Sequence, residues 1–175
     1  MTAGQITHAL AHGFEGIRLD VTRAVDAAAW QAELNRAAAA ASTALSNGRD
    51  PLVFTATGPD DPAVAALAEA AHTAGLALAD VNERIGSGLG SVLNTLIRQG
   101  RLTRAVISGG DTSGRAAAML GIDALTAIAP LAPGSPLCRA HAPADGLEGL
   151  EIVLKGGQVG QPDFLVAVRQ GRREA

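Results

Sequence analysis

A strand that runs straight into a glycine pair and then into a helix leaves a chain few architectures, and residues 104–120 read that way. Ala105-Val106-Ile107 is a short apolar run with two β-branched residues, the pattern of a buried strand. Gly109 and Gly110 carry no Cβ, so the backbone can turn sharply there and approach a ligand closely. Thr112 and Ser113 are good N-cap residues, and Ala116, Ala117, Ala118, Met119 and Leu120 favour helix. N–H groups at such a helix start favour an anion. Two readings follow: a phosphate cradle over Gly109, Gly110, Asp111, Thr112 and Ser113, or a tight strand-to-helix turn that needs glycine for its geometry alone.

The loop lacks the Gly-Lys-Ser/Thr ending of a P-loop and the GxGxxG spacing of a dinucleotide fold. Gly86-Ser87-Gly88-Leu89-Gly90 superficially resembles the latter, but the Asp80–Ile85 stretch before it is a poor strand. It reads as a flexible entry to a helix.

Elsewhere strands and helices alternate. Helices are expected over Thr2–Ala11, Ala24–Leu45, Pro62–Thr73 with Asp61 as its cap, Asn82–Gln99 and Pro162–Arg169. Strands are expected over Glu15–Asp20, Leu52–Thr55, Leu125–Ile128 and Glu151–Lys155. Pro130–Pro136 reads as a rigid, turn-rich segment. Arg169, Arg172 and Arg173 read as a solvated tail near a helix C-terminus. The alternation implies a single α/β domain with a mostly parallel sheet flanked by helices, for which 175 residues suffice.

Composition narrows the function classes. The net charge is −3, and Phe14, Phe54, Phe164 and Trp30 are the full aromatic set, so neither a basic surface nor a base-stacking platform is present and nucleic acid is not the expected partner. Cys138 is the only cysteine, so no intrachain disulfide forms, and a small packed thiol is the expected role. No apolar run reaches about 18 residues and no signal-peptide pattern opens the chain, so no membrane association is expected and the cytoplasm is the expected location. His8, His12, His72 and His141 form no ligand spacing, so no metal site of protein side chains is expected.

Ligands of α/β sheets bind beyond the carboxyl ends of the strands. A second glycine loop, Gly156-Gly157-Gln158-Val159-Gly160, falls at such an end, and convergence of the two loops favours a phosphate or nucleotide ligand.

In order and spacing these segments resemble the C-terminal nucleotide-binding domain of the four-carbon acid sugar kinase family. Thr2-Ala-Gly-Gln5-Ile6, His8-Ala9 and Gly13-Phe14 resemble its opening helix, and Ile17-Arg18-Leu19-Asp20 its first strand. Ser108-Gly109-Gly110-Asp111-Thr112-Ser113-Gly114 resembles its glycine–acidic–Thr–Ser–Gly signature, followed by Leu120-Gly121-Ile122. Pro133-Gly134-Ser135-Pro136 resembles its Pro-Gly-x-Pro turn, and Leu154-Lys155-Gly156-Gly157-Gln158-Val159-Gly160 its closing loop. Val159 stands where the family often has Phe, and the Gly-Ser-x-Ser segment usual before the position of Thr2 is not in this sequence.

The resemblance implies an ATP-dependent phosphotransferase acting on the alcohol group of a four-carbon sugar acid of the threonate or erythronate type. ATP or ADP with Mg²⁺ would be held at Gly109, Gly110, Asp111, Thr112, Ser113, Gly156 and Gly157. The acid would be held by an N-terminal domain not contained in residues 1–175, so this chain is expected to be inactive alone. No catalytic base is assigned. Two alternatives stay open: a non-catalytic nucleotide-binding or interaction module, and a chain whose glycines only shape turns and which works through homo-oligomer contacts.

Overall fold

The computed structural model describes residues 2–100, 102–143 and 147–171, with the side chains of 110–113 left aside. The elements follow the order α1 Thr2–Ala11, β1 Phe14–Arg18, a 3₁₀ turn Val21–Val25, α2 Ala27–Ser46, β2 Asp50–Phe54, α3 Pro62–Thr73, α4 Leu78–Gly100, β3 Arg104–Ser108, α5 Gly110–Leu120, β4 Ala124–Ala132, β5 Ser135–His141, β6 Glu151–Lys155 and α6 Phe164–Gln170. This is one α/β domain with two sheets. β1 and β2 pair in parallel, and the second sheet has the order β3-β6-β5-β4.

The expectation of a mostly parallel sheet needs correction. β3 and β6 are parallel, whereas β5 runs antiparallel to both β6 and β4. The cause lies in residues 130–136. They form the tip of a β-hairpin, with Gly134 at φ 74° between β4 and β5. A hairpin reverses the chain and so must pair antiparallel. The expected four-residue strand at 125–128 is part of a nine-residue β4.

The helices sit where their caps place them. Asp26 accepts a hydrogen bond from the Ala29 amide at 2.7 Å and starts α2 three residues later than expected. Asp61 accepts from the Ala63 amide at 3.0 Å and caps α3, with Pro62 in its first turn. Along α2, Ala37, Ala41 and Ala44 lie on one buried face. Ala37 and Ala41 join Ile17, Leu19, Trp30, Leu34, Val92 and Leu96 in one core, where small side chains bring helix and sheet close together. A second core gathers Ile107, Ala116, Leu120, Leu147 and Ile152 around the larger sheet.

The Gly86-Ser-Gly-Leu-Gly90 segment is also corrected. It lies inside the continuous helix α4. A Cβ at Gly88 would stand 2.7 Å from Trp30 Nε1, and one at Gly90 would stand 3.1 Å from the Ala116 Cα. These glycines let α2 and α5 close on α4. Among the described residues no single helix is long and apolar enough to cross a membrane.

Candidate functional site

β3 and β6 bring the two glycine loops together. Their parallel register sets Ser108 beside Lys155, so both chains leave the sheet at the same level. The Gly109 amide donates to the Lys155 carbonyl at 3.0 Å, which ties the first residue of one loop to the last strand residue before the other. Convergence of Gly109 and Gly156 on one sheet edge is therefore a property of the strand pairing.

Gly109 is the N-cap of α5, at φ 123° and ψ 131°. That backbone conformation lies in a region reserved almost wholly for glycine. Having no side chain, Gly109 also supplies no capping oxygen to the helix. The helix begins at Gly110, so Thr112 and Ser113 stand within its first turn and are not the caps that the sequence suggests. The first turn is where backbone N–H groups have no intrahelical acceptor, and the helix dipole adds partial positive charge there. The side chains of Asp111, Thr112 and Ser113 lie outside the described residues, as do the tail residues Arg172 and Arg173.

Lys155 is the last residue of β6 and lies between the two loops. It is 2% exposed, although it stands at the end of a strand. Its ammonium donates to Ser108 Oγ and to the Gly156 carbonyl, each at 3.0 Å, and lies 5.7 Å from the centre of the Phe164 ring. Burial pushes its pKa below the ordinary lysine value, because the charged form loses hydration. A buried cation between two strand ends and next to a helix N-terminus attracts an anion.

Helix α1 fixes the second loop. Thr2 Oγ1 donates to the Gly157 carbonyl at 2.5 Å. The buried Gln5 amide donates to the carbonyls of Val159 and Gly160 at 2.9 Å and of Gln161 at 3.1 Å. A Cβ at Gly157 would meet only Thr2 Oγ1, at 3.6 Å, an ordinary contact. Internal packing therefore does not demand glycine at 157. The roles of Thr2 and Gln5 were not legible in the sequence, because their partners lie more than 150 residues away. The one available sign was their place in the Thr2–Ile6 segment that resembles the family's opening helix.

Other polar groups serve the fold. Asp61, held by the Thr57 and Ala63 amides and by Arg18, has its carboxyl well below the usual range. Cys138 lies half-buried in β5, where burial raises its thiol pKa and keeps it a poor nucleophile. Among the described residues no group of three or more His, Cys, Asp and Glu is arranged to hold a metal ion.

The chain is similar to known proteins along nearly its whole length. At 47% identity over 172 residues, the chain is similar to a 3-oxo-isoapionate kinase of Paraburkholderia graminis, covering 98% of this chain and 37% of the relative. It is 31% identical over 170 residues to a 3-oxo-tetronate kinase of Cupriavidus necator, covering 97% of this chain and 35% of that relative. The chain thus spans a little over a third of the length of the curated relatives it matches. In fold it is similar to a Haemophilus influenzae protein with a TM-score of 0.75 at 23% identity, covering 97% of this chain and 37% of that one. A Bordetella bronchiseptica domain of unknown function, solved as a domain-swapped dimer with bound citrate, matches with a TM-score of 0.71 at 20% identity, over 98% of this chain and 39% of that one. The model described as the nucleotide-binding C-terminal domain matches residues 1–165, and the chain belongs to that family.

Proposed function

We propose that this chain is the ATP-binding domain of a kinase that phosphorylates an alcohol group of an oxidised sugar acid, of the four-carbon or closely related type. The observation that carries this reading is the pairing of β3 with β6. It sets Gly109, the start of α5, Lys155 and Gly157 along one edge of one sheet. The names of the two kinase relatives support the reaction class and the sugar-acid acceptor.

Phosphoryl transfer is mostly positioning and charge neutralisation. In this reading the amides of the first turn of α5, from Gly110 to Ser113, hold phosphate oxygens. Lys155 adds a fixed positive charge behind Ser108. Gly157 lets the nucleotide approach the backbone of the second loop. Mg²⁺ would enter with the nucleotide and neutralise the phosphates, and Asp111 is the nearest acidic residue in sequence to these amides. The sugar acid would be held by other parts of the full-length kinase, so residues 1–175 alone bind nucleotide without turning over the acid.

Titration calorimetry with Mg-ATP and Mg-ADP tests the reading. Gly157→Ala is the sharpest probe, because its Cβ clashes with nothing in the protein. Affinity should fall at least about fivefold while the melting temperature stays unchanged. Failure of the folded wild-type chain to bind either nucleotide would defeat the proposal. Acid-dependent release of ADP by this chain alone would defeat the division of labour.

A further inference from the structure

Strands β2 and β3 are edge strands of two separate sheets, yet both line one cleft of about 470 Å³. They run in the same direction. Asp50, at the start of β2, pairs with Arg169 at 3.3 Å, and Arg104, at the start of β3, donates to the Val168 carbonyl at 2.6 Å. Both strands thus begin at the C-terminal end of α6. One wall of the cleft is formed by Leu89, Leu93 and Leu96 of α4, and another by Phe14, Leu165 and Val168. A parallel sheet is covered on both faces. Here the cover is in place on both sides, over a space between two parallel edges.

Helix α1 completes the geometry. Its first residue, Thr2, reaches Gly157 at the carboxyl end of the larger sheet. Just past its last residue, the His12 carbonyl accepts from Arg169 at 3.0 Å, at the opposite end. α1 therefore runs antiparallel to β2 and β3, as a helix does when it follows a parallel strand.

We propose that this cleft receives a parallel β-strand of about five apolar residues, supplied by a polypeptide segment outside residues 1–175, which joins β2 and β3 into one continuous sheet. Both flanking strands have five residues, which sets the length. Side chains of the inserted strand alternate between the α4 wall and the wall of Phe14, Leu165 and Val168. Both walls are mainly apolar, so the strand is a continuous apolar run and not an alternating one. Its carboxyl end emerges beside Thr2 and Gly157. The inference rests on the reading of this domain as one part of a longer kinase chain, whose relatives are matched over only 37% and 35% of their length.

The test uses the 175-residue chain with a seven-residue extension before Met1, in an apolar version (AVIVVAG) and a polar one (ASTSTAG). Hydrogen–deuterium exchange is read at the amides of 50, 52–54 and 104–106, with light scattering to report oligomeric state. The apolar extension should slow exchange in both strands at least about tenfold, in a monomer, and the polar one should not. Leu93→Trp, which fills the α4 wall, should abolish that protection while leaving the unextended chain folded by circular dichroism. Equal exchange with the two extensions overturns the proposal. Protection that appears only with dimerisation also overturns it, because a second copy would then cover the edges. No nucleotide enters the experiment, so a failure here is distinct from a failure of nucleotide binding.

Discussion

The half of the molecule built on β1, β2, α2 and α3 uses three carboxylates to hold its own turns and helix ends, whereas the half built on β3 and β6 buries a lysine between two glycine loops. In the first half Asp20 accepts from the Thr22 hydroxyl and amide, Glu33 accepts from the Asp20 amide and pairs with Arg36, and Asp61 caps α3. All three carboxyls titrate below their ordinary values: Asp20 through the Thr22 hydroxyl, Glu33 through Arg36, and Asp61 through the Thr57 amide. Such groups hold turns and helix ends in place and have little capacity left for a ligand. In the second half a lysine is buried against a hydroxyl, a carbonyl and an aromatic ring, and two glycine loops flank it. The contrast teaches that charge density alone does not locate a candidate site: what sets Lys155 apart is its place at a strand end between two glycine loops.

Gly109→Val should break the contrast most severely. Valine resists φ 123°, so the loop must rearrange, and nucleotide affinity should fall at least about a hundredfold, with roughly 1–3 kcal/mol of stability lost. Calorimetry and a thermal melt on the same sample read both effects. Retained affinity would move the site away from this loop.

Lys155→Met is expected to lower affinity by about ten- to a hundredfold, the worth of a charge-assisted hydrogen bond. Its stability effect has a definite sign. Because the folded-state pKa of Lys155 is lowered, the unfolded chain binds the extra proton more readily. Wild-type stability from this group therefore rises with pH as the folded pKa is crossed, up to about 10.4, and the Met variant lacks that rise. Denaturant titrations between neutral and alkaline pH would show it, and identical alkaline slopes in the two proteins would contradict a desolvated lysine.

Gly88→Ala probes packing alone. Its Cβ would stand 2.7 Å from the Trp30 indole nitrogen, and the cost should be about 1–3 kcal/mol with nucleotide affinity unchanged. A loss of affinity without loss of stability would bring the Gly86–Gly90 segment into the ligand site.

The smallest effect concerns acid. The depressed carboxyls of Asp61, Glu33 and Asp20 contribute stability above the unfolded-state pKa of about 4, and that contribution disappears as pH falls further through their folded values. Asp61→Asn should flatten part of the fall in melting temperature between pH 5 and pH 3, measured against wild type. An unchanged acid slope would place the sensitivity elsewhere.

Much of the chain was legible one segment at a time. Asp61-Pro62 marks the start of α3, the Thr2–Ala11 helix falls where its residues place it, and Glu151–Lys155 is a strand in sequence and in structure. These features are local, since a cap or a β-branched run acts within one turn or one strand. The glycine motifs also allowed the family to be recognised, because their order along the chain is itself a sequence property. The sequence misled where one pattern serves two purposes. Gly86-Ser-Gly-Leu-Gly90 reads as a flexible entry to a helix because glycine disfavours helix, yet it lies inside α4, where the close approach of Trp30 and Ala116 requires small residues, and tertiary packing overrides propensity. Pro130–Pro136 reads as a rigid connector, but the following run to His141 pairs back on it as a hairpin.

By itself the sequence determined the α/β class, the strand–glycine–helix unit at 104–120 and the order of the motifs, because each depends on residues close together in the chain. Only the tertiary structure decided which strands became neighbours. It placed Ser108 beside Lys155, buried that lysine, anchored the second loop through Thr2 and Gln5, and left β2 and β3 facing across a cleft. Those relations join residues tens to more than a hundred positions apart, and strand register and helix packing, not local propensity, fix them.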